Sequence, residues 1–280
     1  MASDGSDGLE GKSHLSGIYR PPPDRTDRLR YTRLDKNEGF LSIPGACIEE
    51  MRALVTPDFL ACYPRVFRLY DAIAEYTGFS PDNILATAGS DGAIRAVYDA
   101  FVEPGDDILN IQPNFAMYDV YTRLYRAHPV DVWYDPATLL LDTAAVADGI
   151  TRRTRLIMLS NPNSPTGTEI TLADMAALAE AAAAQGAGLV VDEAYFPYSP
   201  TTCTPLLGTF DNIIILRSFS KAFGLAGARA GYALAHPDII EKMGKFRPMY
   251  EVNSFAVEYA RILLQHAALV EESVREANRI

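Results

Sequence analysis

A chain of 280 residues, 48% of them hydrophobic, is long enough for one large α/β core, with or without a smaller second unit. A formal net charge of -11 and an isoelectric point of about 4.8 argue against nucleic acid or an anionic membrane as the main partner, though not against a local basic pocket. Cys47, Cys62 and Cys203 are odd in number and widely spaced, which excludes a disulfide framework and zinc spacing and points to a reduced cytoplasm and no metal.

Residues 1–10 are rich in Ser, Gly and Asp and lack the apolar stretch of a signal peptide. The first thirty or so residues read as loosely ordered, with Pro21-Pro22-Pro23 a stiff extended step. From residue 84 onward, short apolar runs bounded by Gly, Pro or Asp predict strands at 84–88, 107–111, 129–132, 155–159, 188–191, 212–216 and 230–234. Helical stretches at 92–102, 115–126 and 172–185 lie between them, and helices follow at 237–246, 254–264 and 267–279. The Ala-rich stretch 173–187 is interrupted by Asp174, Glu180 and Gln185, and no apolar run reaches the length of a membrane span. Such alternation predicts an α/β fold with a mainly parallel seven-stranded sheet and helices on both faces, its ligands lying beyond the carboxyl ends of the strands. The organisation expected is an N-terminal arm and substrate-side segment over 1–50, a large α/β domain over 51–245 and a helical segment over 246–280.

Five motifs fall at those strand ends. Ala88-Gly89-Ser90-Asp91-Gly92 opens a helix, where backbone N–H groups suit a phosphate, or where Ser or Asp simply caps the helix. Gln112-Pro113-Asn114-Phe115-Ala116-Met117-Tyr118 offers an aromatic, Phe115, that could stack on a flat ring or pack in the core. Ser160-Asn161-Pro162-Asn163-Ser164-Pro165-Thr166-Gly167 is a rigid polar loop. In Val190-Val191-Asp192-Glu193-Ala194-Tyr195 an aspartate ends an apolar strand; it caps a helix or meets a protonated pyridine nitrogen, with Tyr195 able to reach a ring hydroxyl. The most informative stretch runs from Ile213 to Arg229, where a buried strand leads into Ser218-Phe219-Ser220-Lys221 and then a small-residue segment. A lysine withdrawn from water becomes a nucleophilic amine that condenses with an aldehyde, and the flanking hydroxyls with Arg229 suit a phosphate. Pyridoxal 5'-phosphate (PLP) has both groups; the plainer reading is a lysine snorkelling from a strand end.

With these motifs in this order, residues 34–264 resemble the fold-type I PLP-dependent enzymes of aminotransferase class I/II, and among them most the histidinol-phosphate aminotransferase group. Leu34-Asp35-Lys36-Asn37-Glu38 and Tyr63-Pro64 are similar to further motifs of that family. The resemblance implies that Lys221 forms the Schiff base and shuttles the proton, that Asp192 pairs with the pyridine nitrogen and that Tyr195 contacts the ring oxygen. It implies stacking by Phe115 and a phosphate held by Ser90, Asp91, Ser218, Ser220 and Arg229. It further implies a homodimer in which Tyr63 reaches the partner's phosphate, and a substrate entrance lined by Tyr19 and Asn37. The family's asparagine before Pro-Thr-Gly is Ser164 here, with Asn163 beside it as a substitute should the loop shift. Family members also continue into a C-terminal small domain whose arginine grips the substrate carboxylate; the expectation here is an incomplete small domain, with Arg247, Arg261, Arg275 and Arg279 outside the expected motif. The implied activity is amino transfer between an amino acid or amino-alcohol phosphate and a 2-oxo acid. The alternatives are a PLP-dependent decarboxylase of an amino-acid phosphate, or a PLP-binding protein without turnover. Neither a Gly-x-Gly-x-x-Gly turn nor a Walker lysine is present to support a nucleotide site.

Overall fold

Short β-branched and leucine-rich runs pair into a single seven-stranded sheet in the computed structural model, which describes residues 9–39 and 43–279. The strands are β1 (Ile84–Thr87), β2 (Asp107–Gln112), β3 (His128–Trp133), β4 (Thr154–Ser160), β5 (Gly188–Asp192), β6 (Ile213–Ser218) and β7 (Gly231–Ala235). Their order is β1-β7-β6-β5-β4-β2-β3. All neighbours are parallel except β7, which runs antiparallel to both β1 and β6. The mainly parallel α/β sheet expected from the alternation is therefore the one found. β6 and β7 are buried along their whole length, as strands covered on both faces must be, whereas the edge strand β3 is largely exposed.

The helices are α1 (Gly45–Leu54), α2 (Pro57–Ala61), α3 (Phe67–Thr77), α4 (Gly89–Phe101), α5 (Met117–Leu124), α6 (Thr143–Asp148), α7 (Leu172–Gln185), α8 (Pro237–Gly244), α9 (Ser254–Gln265) and α10 (Ala267–Ala277). On one face of the sheet, Ile94, Val97 and Tyr98 of α4, Tyr118 of α5 and Met243 of α8 pack against Val190, Ile214, Leu216 and Ala233. On the other, Met51, Leu69, Ile73, Leu178, Val257 and Leu263 pack against Val191, Ile215 and Leu234. Residues of α9 and α10 belong to this second core. Helix α7 has the bounds its sequence predicts, because Thr171 accepts the Asp174 N–H at its start and Gly186 adopts a left-handed φ of 77° at its end. Helix α4 starts three residues earlier than expected, at Gly89.

The carboxyl ends of β1, β2, β4, β5 and β6 share one rim. Because β7 is antiparallel, its first residue lies at that rim too: Gly231 pairs with Thr87 on one side and Ser218 on the other. Among the described residues, no helix is long and apolar enough to cross a membrane, and no cluster of His, Cys, Asp and Glu could hold a metal.

Candidate active site

Two glycines form one end of the site. A Cβ on Gly231 would lie 2.5 Å from the Gly89 carbonyl carbon, 2.7 Å from the Ser90 nitrogen and 2.8 Å from the Arg217 oxygen, so β7 lies directly against the start of α4. Gly89 has a φ of 78°, and a Cβ there would lie 2.7 Å from Nη2 of Arg229. No side chain caps α4 from Ala88, which leaves its first N–H groups without a side-chain acceptor. Arg229 also has a left-handed φ, 58°, and its Nη1 donates to Ser220 Oγ at 3.3 Å and to the Ala226 carbonyl at 3.3 Å. Ser218 Oγ accepts the Ser220 N–H at 3.0 Å. The Asp91 carboxylate accepts from Tyr121 Oη at 3.3 Å; burial, and then this acid, push the Tyr121 phenol up to about 12. A helix start, a guanidinium and two buried hydroxyls, Ser218 and Ser220, form a cradle for a phosphate.

At the end of β5, Asp192 is 4% exposed. Its Oδ2 accepts from Tyr118 Oη at 2.8 Å and its Oδ1 from the Ala194 N–H at 2.9 Å. Burial pushes the carboxyl up to about 6, although both bonds and the charge of Lys221 act to lower it. Burial, reinforced by Asp192, holds the Tyr118 phenol well above its ordinary value, so it remains a donor. The sequence motif includes Tyr118 but gives it no role; the available signals for one were that a buried carboxylate requires a donor and that Tyr118 lies about one helical turn after Phe115. Phe115 is 42% exposed and meets the Tyr118 ring edge-on at 5.9 Å.

Lys221 lies in the connection from β6 to β7, 5.6 Å from the centroid of the Tyr195 ring, and its Nζ donates to the Lys36 carbonyl at 2.6 Å. Tyr195 Oη accepts from Asn37 Nδ2 at 2.7 Å and donates to Ser164 Oγ at 3.5 Å. The structure thus brings Lys221, Tyr195, Asn37 and Ser164 together. Asn163 is a loop strut instead: its Oδ1 accepts from Ser160 Oγ at 2.6 Å, and its Nδ2 donates to the Pro113 carbonyl and Thr166 Oγ1 at 3.1 and 2.8 Å. Both of its N–H donors are engaged, so it ties this loop to the one that carries Pro113. Tyr63 is 75% exposed and stacks on Tyr250 at 4.2 Å; Tyr19 lies exposed on the N-terminal arm. Arg247 and Arg261 are engaged by Glu251 and Glu258 at 3.2 and 2.8 Å.

Amine, buried acid and anion cradle thus occupy one rim, and their chemistry fits a ligand with an aldehyde, a basic ring nitrogen and a phosphate. Among known proteins, the histidinol-phosphate aminotransferase of Dehalococcoides mccartyi (strain ATCC BAA-2266 / KCTC 15142 / 195) is 34% identical over 270 residues, covering 96% of this chain and 73% of the relative. That of Caldanaerobacter subterraneus subsp. tengcongensis is 33% identical over 242 residues, 85% of this chain and 68% of the relative. In fold, the chain is similar to the histidinol-phosphate aminotransferase from Sinorhizobium meliloti in complex with pyridoxal-5'-phosphate, with a TM-score of 0.86 at 24% identity over 96% of this chain and 74% of that one. The aspartate aminotransferase from Thermus thermophilus with maleate gives a TM-score of 0.82 at 22% identity, covering 97% and 77%. The family model described as aminotransferase class I and II matches residues 60–280, and the chain belongs to that family of PLP-dependent transferases.

Proposed function

We propose that this aminotransferase moves an amino group between a histidinol-phosphate-like amino-alcohol phosphate, or an amino acid, and a 2-oxo acid, using Lys221 and Asp192. The observation that carries the reading is a buried carboxyl within electrostatic reach of a lysine amine, at the rim where an uncapped helix start meets Arg229. The relatives named for histidinol phosphate, each matched over two thirds or more of its length, support the substrate class.

PLP supplies an aldehyde that condenses with amines and a ring that withdraws electrons when its nitrogen is protonated. Asp192 would pair with the ring nitrogen and keep that proton in place, while Tyr118 holds the carboxyl in position. The Lys221 amine would hold the aldehyde, and as a free amine it would be the base that takes a proton from the substrate's α carbon. Tyr195 and Ser164, 3.5 Å apart, would meet the ring oxygen, with Ser164, in place of the family's asparagine, a shorter donor. Ser218, Ser220, Arg229 and the N–H groups of Ser90 and Asp91 would hold the phosphate, and Phe115 would stack on the ring. Asn37 and Tyr19 border the substrate entrance; Asn37 already contacts Tyr195.

The reading extends to a homodimer. Leu60, Tyr63, Phe67, Met249 and Tyr250 leave apolar surface exposed, which a second copy would cover while Tyr63 reaches that copy's phosphate. Free Cys47, Cys62 and Cys203 suit a reduced, cytoplasmic setting.

Lys221→Ala tests the reading. Purified protein with PLP should show visible absorbance that changes on adding histidinol phosphate, and amino transfer to 2-oxoglutarate; the variant should lose both. Full transfer by the variant refutes the role of Lys221, and carbon dioxide release without transfer replaces the reading with decarboxylation.

A further inference from the structure

Strand alternation gives the rim two sides. Asp192 and Ser218 point to the side covered by α4 and α5, where the cofactor groups gather, whereas Glu193, Arg217 and Tyr232, next to them in sequence or register, point to the opposite side. On that reverse side is a closed polar network. Arg217 is 5% exposed and Glu193 fully buried. Arg217 Nε and Nη2 donate to Glu193 Oε2 at 3.0 and 2.9 Å, and Nη2 also donates to Thr202 Oγ1 at 2.9 Å. Nη1 reaches Tyr232 Oη at 3.5 Å, and the guanidinium lies over the Phe196 ring, 3.7 Å from its centroid. Glu193 Oε1 accepts the Cys203 N–H at 2.6 Å, and Thr202 Oγ1 donates to it at 3.0 Å.

A buried ion pair is a poor source of stability, because desolvation offsets the attraction; a packed apolar pair of similar volume often serves as well. What the network does provide is a fixed geometry. It joins the ends of β5, β6 and β7 with the 196–203 segment, and the residues next to its members are Asp192, Ser218 and Gly231. We infer that Glu193 and Arg217 are positioning residues that clamp the strand ends from behind and so fix the spacing between the Asp192 carboxyl and the segment carrying Ser218, Ser220 and Lys221. The side-chain hydrogen bonds of both residues all stay within this network. The inference rests on the proposed roles of Asp192 and Lys221.

The test uses three forms of the full chain: wild type, the charge-removing pair Glu193→Leu with Arg217→Met, and Arg217→Lys, which keeps the charge but loses the fork that Nε and Nη2 present to Glu193. Each is titrated with PLP by fluorescence, its visible absorbance is followed from pH 5 to 9, and its cofactor-free thermal midpoint is recorded. The clamp predicts that Arg217→Lys stays folded, binds PLP about tenfold or more weakly and shows a displaced pH transition, because a misplacement of an ångström is costly. The pair should do the same at a cofactor-free midpoint close to wild type. If Arg217→Lys matches wild type in both affinity and pH transition, the clamp is overturned, whatever the pair's stability. Wild-type protein with no Lys221-dependent absorbance would instead overturn the underlying assignment.

Discussion

Replacing Asp192 with asparagine should stabilise the cofactor-free protein while disabling the loaded one. In the fold the carboxyl is lifted from 3.8 to about 6, chiefly by burial. Well below pH 3.8 both folded and unfolded chains hold the proton, and burial of the acid has little pH-linked cost. Between pH 4 and 6 the unfolded chain releases its proton while the folded chain retains it, so stability falls as pH rises; above 6 the penalty is complete. The shift corresponds to about 3 kcal/mol. Asparagine is nearly isosteric: its oxygen can accept the Ala194 N–H, and its amide can donate to the Tyr118 oxygen, preserving contacts at 2.9 and 2.8 Å. Without cofactor, the variant's thermal midpoint should therefore approach wild type as the pH falls below 3.8 and exceed it by about 5–10 °C at pH 7.5. With saturating PLP the order should reverse, because only the carboxylate stabilises a protonated ring. A variant that melts below wild type at pH 7.5 without cofactor, or a gap that does not widen between pH 4 and 6, would refute the reasoning.

Three further outcomes are expected. Tyr118→Phe removes one of the donors that hold the Asp192 carboxyl down, and should weaken PLP binding by about 1–3 kcal/mol in a fluorescence titration; unchanged affinity would show that Tyr118 is only a packing residue. Gly231→Ala places a methyl within 2.8 Å of the backbone of Gly89, Ser90 and Arg217, and should cost about 1–3 kcal/mol of stability together with PLP affinity. Gly208→Ala, which meets nothing within 4 Å, is its silent control. Tyr63→Phe should weaken PLP retention by about 1 kcal/mol in protein shown to be dimeric by light scattering, and unchanged retention there would count against a shared site.

Much of this architecture can be read in the sequence because burial on both faces leaves a strong local mark. Val190-Val191 and Ile213-Ile214-Ile215 read as covered strands, and Thr171 and Gly186 set the ends of α7. Strand direction is not written locally: the β7 run Gly231–Ala235 reads alike either way, and only its pairing with Thr87 and Ser218 makes it antiparallel. Within the site, Lys221, Asp192 and Arg229 stand out because a charge at the end of an apolar strand needs a reason. Tyr118 does not, since a tyrosine on an amphipathic helix looks like core. The contacts of Lys36 and Asn37 with Lys221 and Tyr195 span more than 150 positions and have no local signature. Asn163 shows the converse: an amide in a conspicuous loop is engaged by Ser160, Pro113 and Thr166 and braces the loop.

The reversed direction of β7 has a mechanical consequence. Chain leaving β6 and chain entering β7 meet the same edge of the sheet, so residues 219–230 form a staple with both legs driven into one beam. Lys221 sits near one leg and Arg229 near the other, and Ser220 braces the pair. Because both legs are fixed in the sheet, the amine and the guanidinium keep their separation, so a ligand can let go of one end while the other stays held.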